Sequence, residues 1–299
     1  MKTFDLAISY TWEYDIEFIS LTEKLFQKDG MTTYIIWKHN LTETALLLKE
    51  KKIHFKSYLD RASDEDSEFN VISKILKRRK SYLINPLSKI KKSTDKAFMH
   101  KKLLRKKFTL PYTVILPPYS KSHPLSLNEK EMSKLGSPYI IKPSTLSGGG
   151  QGVNKNARTF LDIQYERMQS PLENYLVQEK IYPLYFDNKR AWFRVLWAFG
   201  KPIQVWWNDQ THLYKIVTKE HFEKYDLQRL IQISTQIARI TNLDYFSCEI
   251  AIAKKHKFYL IDYVNDQCDL RLQSKHVDGV PDSIVIDFVN QMKKRIQKL

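Results

Sequence analysis

Apolar and polar positions alternate loosely in FDLAIS (4–9), which predicts a first strand. The next stretch, DIEFISLTEKLFQKDG, spaces Ile16, Ile19 and Phe26 at helical intervals and stops at Gly30. TTYIIW (32–37) is β-branched and aromatic and reads as a second strand, so the chain opens as a parallel α/β unit. DRASDEDSEF is an acidic, solvent-facing loop or helix start, and SYLINP (81–86) is the last strand of this first region. STDKAFMHKKLLRKKF then predicts a helix opening near Ser93 or Thr94, with Met99, Leu103 and Leu104 on one face and Pro111 beyond its end. HPLSLNEKEMSKLG is a second helical stretch, followed by the strand YIIKP. In the second half, AWFRVLWAF and PIQVWW flank Gly200 and Lys201, a two-residue hairpin with glycine leading the turn. DLQRLIQISTQIARI and PDSIVIDFVNQMKKRIQKL are amphipathic helices. The class is α/β in the first part and α+β, with antiparallel strands, in the second.

The 299 residues suffice for about two domains. No run approaches the ~18 apolar residues of a membrane span, and the N-terminus lacks the apolar core of a signal peptide. Cys248 and Cys268 are too few for a disulfide framework and read as plain thiols of a cytoplasmic protein. The net charge of +16 is unevenly placed: residues 74–107 hold fourteen Lys or Arg against one acid, Asp95. That run is a solvated face, a polyanion-binding surface, or a basic flank of a nucleotide site.

Candidate chemistry changes the picture at two places. The chain owns eight glycines, and Gly148, Gly149, Gly150 and Gly152 fall within five positions of YIIKPSTLSGGGQGV. Successive glycine amides make an anion-binding concavity, and Lys142 at the strand end adds a fixed positive charge. The loop lies between two strands, so it covers phosphates as a hairpin; an unliganded turn is the plain alternative. The second place is FSCEIAIAKKHKFYLIDYVND, two strands around a polar turn at 254–257. A symmetric turn sets Glu249 directly opposite Asp262, with Cβ atoms about 4.5–5.5 Å apart. Such a pair makes sense around a divalent cation, with Asn265 and Asp266 as further oxygen donors suited to magnesium. A one-residue slip would instead send the two acids to opposite faces.

A lysine-ended strand, a glycine-rich hairpin and a late acidic strand pair, in that order, resemble the ATP-grasp superfamily from about residue 85 to 269. The resemblance implies three regions: a Rossmann-like domain (1–88), a central ATP-grasp subdomain with the glycine loop (89–177), and a C-terminal subdomain with hinge and metal site (178–299). It implies ATP as nucleotide and magnesium, or manganese in its place, as the ion. In INPLSKIKKSTDKAFMHKKLL, Lys96 takes the position of a phosphate-contacting lysine, and Lys142 that of the strand lysine. Ser147, Gly148, Gly149 and Gly150 fall in the loop over the phosphates. YLVQEKIY resembles the adenine-reading hinge, at Gln178, Glu179, Lys180 and Ile181, with Asp187 nearest for the ribose. In WFRVLWAFGKPI, Arg194 is expected to bind phosphate or a substrate carboxylate. Lys215 is similar to a lysine reaching the γ-phosphate in some members. Arg271, from its place after the metal strand in DQCDLR, is expected either to touch phosphate or an anionic substrate or to have no such role. Glu249, Asp262 and Asn265 match the metal-holding set. One departure is that two residues, not one, separate Asp262 from Asn265, so Asp266 competes as a ligand.

The resemblance implies an ADP-forming ligase that joins a carboxylate to an amine or peptide through an acyl phosphate. A kinase phosphorylating a hydroxyl of an anionic substrate is the nearest alternative. A nucleic-acid-binding protein using the basic run is another, and it leaves the glycine loop and opposed acids unexplained. The expected partner is a small molecule or peptide with a carboxylate or phosphate, with neither membrane nor nucleic acid involved.

Overall fold

The computed structural model describes residues 1–120, 127–146 and 150–299. The first layer is a parallel sheet ordered β2-β1-β3-β4, formed by β1 (Lys2–Tyr10), β2 (Thr33–Ile36), β3 (Ile53–Arg61) and β4 (Tyr82–Ile84). Period-two alternation divides β1 between two cores. Leu6 and Ile8 meet α1 (Ile16–Gln27) and the C-terminal helix α10 (Asp282–Ile296), while Ala7 meets α2 (Leu41–Lys49) and α3 (Asn70–Arg78). The last helix therefore returns to the first sheet. Parallel strands need crossover helices, and these cover both faces.

The second sheet is antiparallel, ordered β5-β8-β6-β7, from β5 (Thr113–Leu116), β6 (Tyr139–Pro143), β7 (Asn154–Ala157) and β8 (Tyr175–Glu179). Tyr139, Ile141 and Val177 pack beneath α6 (Glu129–Leu135) and α7 (Phe160–Gln169), which leaves Lys142 on the opposite face. Two helices precede this sheet. α4 (Leu87–Thr94) follows Pro86, and α5 (Lys96–Arg105) starts at an Asp95 cap that accepts the Phe98 N–H. The expected helix thus begins one or two residues late, because Asp95 is the better cap.

The third sheet follows a short hairpin of β9 (Tyr185–Phe186) and β10 (Lys189–Arg190). Its five antiparallel strands run β13-β12-β11-β14-β15: β11 (Trp192–Ala198), β12 (Lys201–Trp207), β13 (Tyr214–Ile216), β14 (Tyr245–Ala253) and β15 (Lys257–Asn265). Ala198 pairs with Lys201, so the hairpin turn is Phe199 and Gly200, one residue earlier than the sequence suggests. Both turn residues have positive φ, the geometry that matches strand twist. A short helix, α8 (Lys219–Lys224), precedes α9 (Gln228–Thr241). One face of the sheet, with Phe193, Val195, Trp206, Cys248 and Ile250, packs in a core with Ile233 and Ile237 of α9. The other face joins the first-layer core through Leu196, Ala198, Ile203, Val205 and Tyr214. Cys248 and Cys268 are buried free thiols.

Candidate active site

The site lies where the free face of β6 meets β14 and β15. Its geometry depends on two irregularities in β15. Between Ala253 and Lys257 the turn is three residues, so near it Ile250 pairs with Leu260. A uniform continuation would place Ile261 opposite Glu249. Ile261 is instead bulged out, and Asp262 takes the position facing Glu249. The expected opposition of the two acids holds, but by a bulge, not by the uniform register of a symmetric turn. The bulged residue has a use: its carbonyl accepts the Lys142 ammonium at 3.1 Å.

A second shift follows. Ser247 pairs with Asn265, so Tyr263 and Val264 together occupy the space opposite Cys248, and both are buried. Asn265 is thereby brought to the face carrying Glu249 and Asp262. Of the two residues left competing by the DYVND spacing, only Asn265 thus shares the face of Glu249 and Asp262. Asp266 turns to the first layer, where Asn85 Nδ2 donates to its Oδ1 at 2.9 Å. Burial pushes the Asp266 carboxyl up to about 7, only partly opposed by Asn85 and Arg61.

Cations hold both acids. Arg194, across the ladder on β11, donates Nη2 to Glu249 Oε1 at 2.5 Å, and Trp192 Nε1 donates to Oε2 at 3.2 Å. Arg194 also donates to the Tyr214 hydroxyl and stacks over Trp207 at 4.2 Å. Lys96 Nζ lies 3.4 Å from Asp262 Oδ1. Burial alone would raise the Asp262 carboxyl, but Lys96 and Lys142 outweigh it and hold it below the ordinary range. Burial lowers Lys142 to about 8; Asp262 opposes this and neighbouring Lys96 adds to it.

Ser144 ties the two lysines together. Its hydroxyl donates to Asp95 Oδ1 at 2.5 Å and accepts the Ala97 N–H at 2.9 Å, and its carbonyl accepts the Lys96 N–H at 3.0 Å. The residue two after Lys142 thus caps the helix that begins with Lys96. Tyr263 adds a second brace: Lys142 sits over its ring at 5.6 Å, and its hydroxyl meets His100 Nδ1 at 2.6 Å. Burial lowers His100 to about 4, which keeps it neutral.

The other expected residues divide. Gly150 has φ +82, a conformation suited to glycine, while Ser147, Gly148 and Gly149 lie outside the described residues. Gln178 donates to Thr113 Oγ1 at 2.9 Å and Glu179 accepts the Tyr112 N–H at 2.8 Å. Lys180 reaches β7 at Lys155 O and Asn156 Oδ1, and Ile181 is half-buried. Arg271 is gripped by Asp269 and Asp278 and faces Trp12. Two residues are not brought in. Lys215 pairs with Trp206, on the face opposite Arg194, because Tyr214 takes the inward position of β13. Asp187 sits in the β9–β10 turn and ion-pairs Lys224 at 2.8 Å. Ser144, Trp192, Tyr214, Ser247 and Tyr263 were missed by sequence reasoning. Only Ser247 and Trp192 carried a signal, each two positions along its strand from Glu249 and Arg194 respectively.

Arg194 Nε, Ser247 Oγ and Asn265 Nδ2 are buried polar atoms with no hydrogen-bond partner among the described residues. All three residues share the face of Glu249. Buried polar groups are nearly always satisfied, so unpartnered ones gathered on one face mark a place for a polar ligand. Among the described residues, no three His, Cys, Asp or Glu gather to hold a metal by themselves. The oxygen set here is two carboxylates and an amide.

A parallel first layer, a helix-backed antiparallel sheet and a five-stranded antiparallel sheet, with Lys96 and Lys142 where the last two meet, make this the ATP-grasp fold. The D-alanine–D-alanine ligase from Bacillus anthracis, complexed with ATP, superposes with a TM-score of 0.66 at 15% identity, covering 100% of this chain and 99% of that one. The ATP-grasp ligase PsnB, complexed with a minimal precursor, Mg and ADP, gives 0.59 at 10% identity, over 97% and 98% of the two chains. A RimK domain ATP-grasp protein from Sphaerobacter thermophilus gives 0.59 at 15% identity, over 95% and 97%. No family model and no curated protein matches the sequence. Among the described residues, no helix is long and apolar enough to cross a membrane.

Proposed function

We propose that this chain is an ATP- and magnesium-dependent ligase that activates a carboxylate as its acyl phosphate and joins it to an amine, releasing ADP and phosphate. One observation carries the reading: Lys96, Lys142 and Arg194 converge with Glu249, Asp262 and Asn265 on one face, around unpartnered polar atoms. The neighbours named as ATP-grasp ligases support it at the level of fold.

The donor set fits magnesium, which takes oxygen ligands and keeps part of its shell for phosphate. Glu249, Asp262 and Asn265 would hold it, and the ion would neutralise charge on the phosphate oxygens. Lys96 and Lys142 are point charges placed to hold phosphate oxygens. The substrate carboxylate attacks the γ-phosphorus and ADP departs; the amine then attacks the acyl carbon and phosphate leaves. Arg194 is placed to hold the substrate carboxylate or the transferring phosphoryl group, steadied by Tyr214 and Trp207. No side-chain nucleophile is required, and the work of the protein is positioning and charge stabilisation. The domain boundaries near 88 and 177 belong to the same proposal, with α10 assigned to the first layer.

Thermal unfolding with a non-hydrolysable ATP analogue tests the reading. A ligand at about 100 times its Kd adds about 2.7 kcal/mol. Stabilisation that needs Mg²⁺ and is lost in Lys142→Ala is expected. No shift in the wild type, or an undiminished one in the variant, overturns it. Hydroxylamine trapping during turnover separates an acyl phosphate from the stable ester a kinase would make.

A further inference from the structure

We propose that the outer face of α5 and the cavity beside it form a docking surface for an acidic peptide segment carrying one large apolar anchor residue. At 100° per residue, the exposed arc of α5 runs Leu104, Lys101, Arg105, Phe98. Phe98 is 46% and Leu104 51% exposed, so two large apolar side chains bound a strip of cations. Leu104 is also one wall of a cavity of about 350 Å³. Leu110, Pro111, Tyr112 and Tyr259 form its other apolar walls, and Thr109, Thr113 and His100 are polar parts of its lining.

Cations outnumber acids around this cavity. Among the described residues, Lys101, Arg105, Lys106 and Lys107 make no ion pair with an acid, and within 74–107 only Lys96 does. Lys89 and Lys102 are engaged differently, donating to the carbonyls of Asn242 and Ile240 at the end of α9. Lys257 adds a further cation to the lining. The one carboxylate there, Glu179, accepts the Tyr112 N–H and is turned to the backbone. Unpaired cations around an apolar recess complement a ligand with negative flanks and an apolar centre. A single-stranded nucleic acid would use the same cations. Thr109 and Thr113 can meet the polar edges of a base, but Leu104, Leu110 and Pro111 cannot, and the exposed Phe98 and Leu104 favour an apolar side chain between acidic flanks.

This surface approaches the lysine site through Glu179 and through His100, which bonds Tyr263, but its occupancy requires no nucleotide, so it is tested apart from the ligase reading. Fluorescence anisotropy on the full chain tests it. One probe is a labelled peptide of Asp and Glu with a single central Phe; a second has Gly in place of that Phe; a third is oligothymidylate. The Phe peptide is expected to bind about tenfold tighter than the Gly peptide, a difference of about 1.4 kcal/mol. Leu104→Asp, at an exposed position, should weaken it similarly. Lys101→Glu with Arg105→Glu should weaken both peptides and flatten their salt dependence. Absence of binding, equal affinity for the Phe and Gly peptides, or indifference to both variants overturns the proposal. So does tighter binding of oligothymidylate, which would make the surface a nucleic-acid site. Displacement of the Phe peptide by a saturating ATP analogue overturns it as well, since the cavity would then belong to the nucleotide cleft.

Discussion

Glu249 and Asp262 stand opposite one another on neighbouring strands, yet each carboxylate is held by its own cation, Arg194 at 2.5 Å and Lys96 at 3.4 Å. Opposed like charges would otherwise repel across the ladder. The cations let the fold carry this pair, and removing one member leaves the other stranded. Glu249→Leu leaves the Arg194 guanidinium enclosed without a counter-charge, at an expected cost of about 3–5 kcal/mol. Arg194→Met combined with Glu249→Leu should recover most of that loss. Urea unfolding measures both; a double variant no more stable than the single would refute the pairing as the source.

The two bulges of β15 make a sharper claim about the metal. They turn Asn265 toward Asp262 and send Asp266 to Asn85. Asn265→Ala should therefore reduce the Mg²⁺-dependent part of nucleotide stabilisation, by roughly tenfold in Mg²⁺ affinity on the scale of altered metal shells. Asp266→Asn should leave it within about twofold on the same scale. Titrating Mg²⁺ at fixed nucleotide in thermal unfolding distinguishes them, and the reverse ranking would mean that Asp266 is the ligand.

Asp266 carries its own pH signature. Its carboxyl is pushed up to about 7, so the folded chain holds a proton there that the unfolded chain releases near pH 4. Stability is then full at low pH and falls as pH rises through that window, because the folded state binds more protons. Asp266→Asn keeps the Asn85 contact and removes the titration. Wild type minus variant should decline between about pH 4 and pH 7 by a few kcal/mol and level off above. A flat difference curve would show that the carboxyl is ordinary.

Much of this was legible in the chain, and the losses have physical causes. Lys142 and the glycine run stand out because few contexts place a lysine before four glycines. The Glu249–Asp262 opposition was legible as two acids on strands around one polar turn, although the bulge at Ile261, not uniform alternation, produces it. What alternation hides is a bulge: Tyr263 and Val264 are both apolar and both buried, which a period-two reading treats as an error rather than a turn of the strand. Lys215 illustrates the converse, since a strand residue one position from the right one faces the wrong side. α2 and β3 went unread: LTETALLLK ends in a lysine-rich run, and IHFKSYLDR mixes charges into a strand buried on both faces. Ser144 and Tyr263 act across 49 and 163 residues of sequence separation, respectively, so only the folded chain reveals them.

Lys142 gives the most direct link between burial and function. With its ammonium lowered to about 8, the free protein loses that charge in mildly alkaline solution. A phosphate bound beside it favours the charged form, so binding takes up a proton above pH 8. Nucleotide affinity should then fall as pH rises through about 8, approaching tenfold per pH unit until the bound-state pKa is reached. Lys142→Arg, which stays charged, should flatten that slope even if it weakens binding overall. Calorimetric titration of the ATP analogue at constant Mg²⁺, in two buffers of different ionisation enthalpy, reads both affinity and proton uptake. An affinity that is level from about pH 8 to pH 10 in wild type, or an unchanged slope in the arginine variant, would place the phosphate away from this lysine.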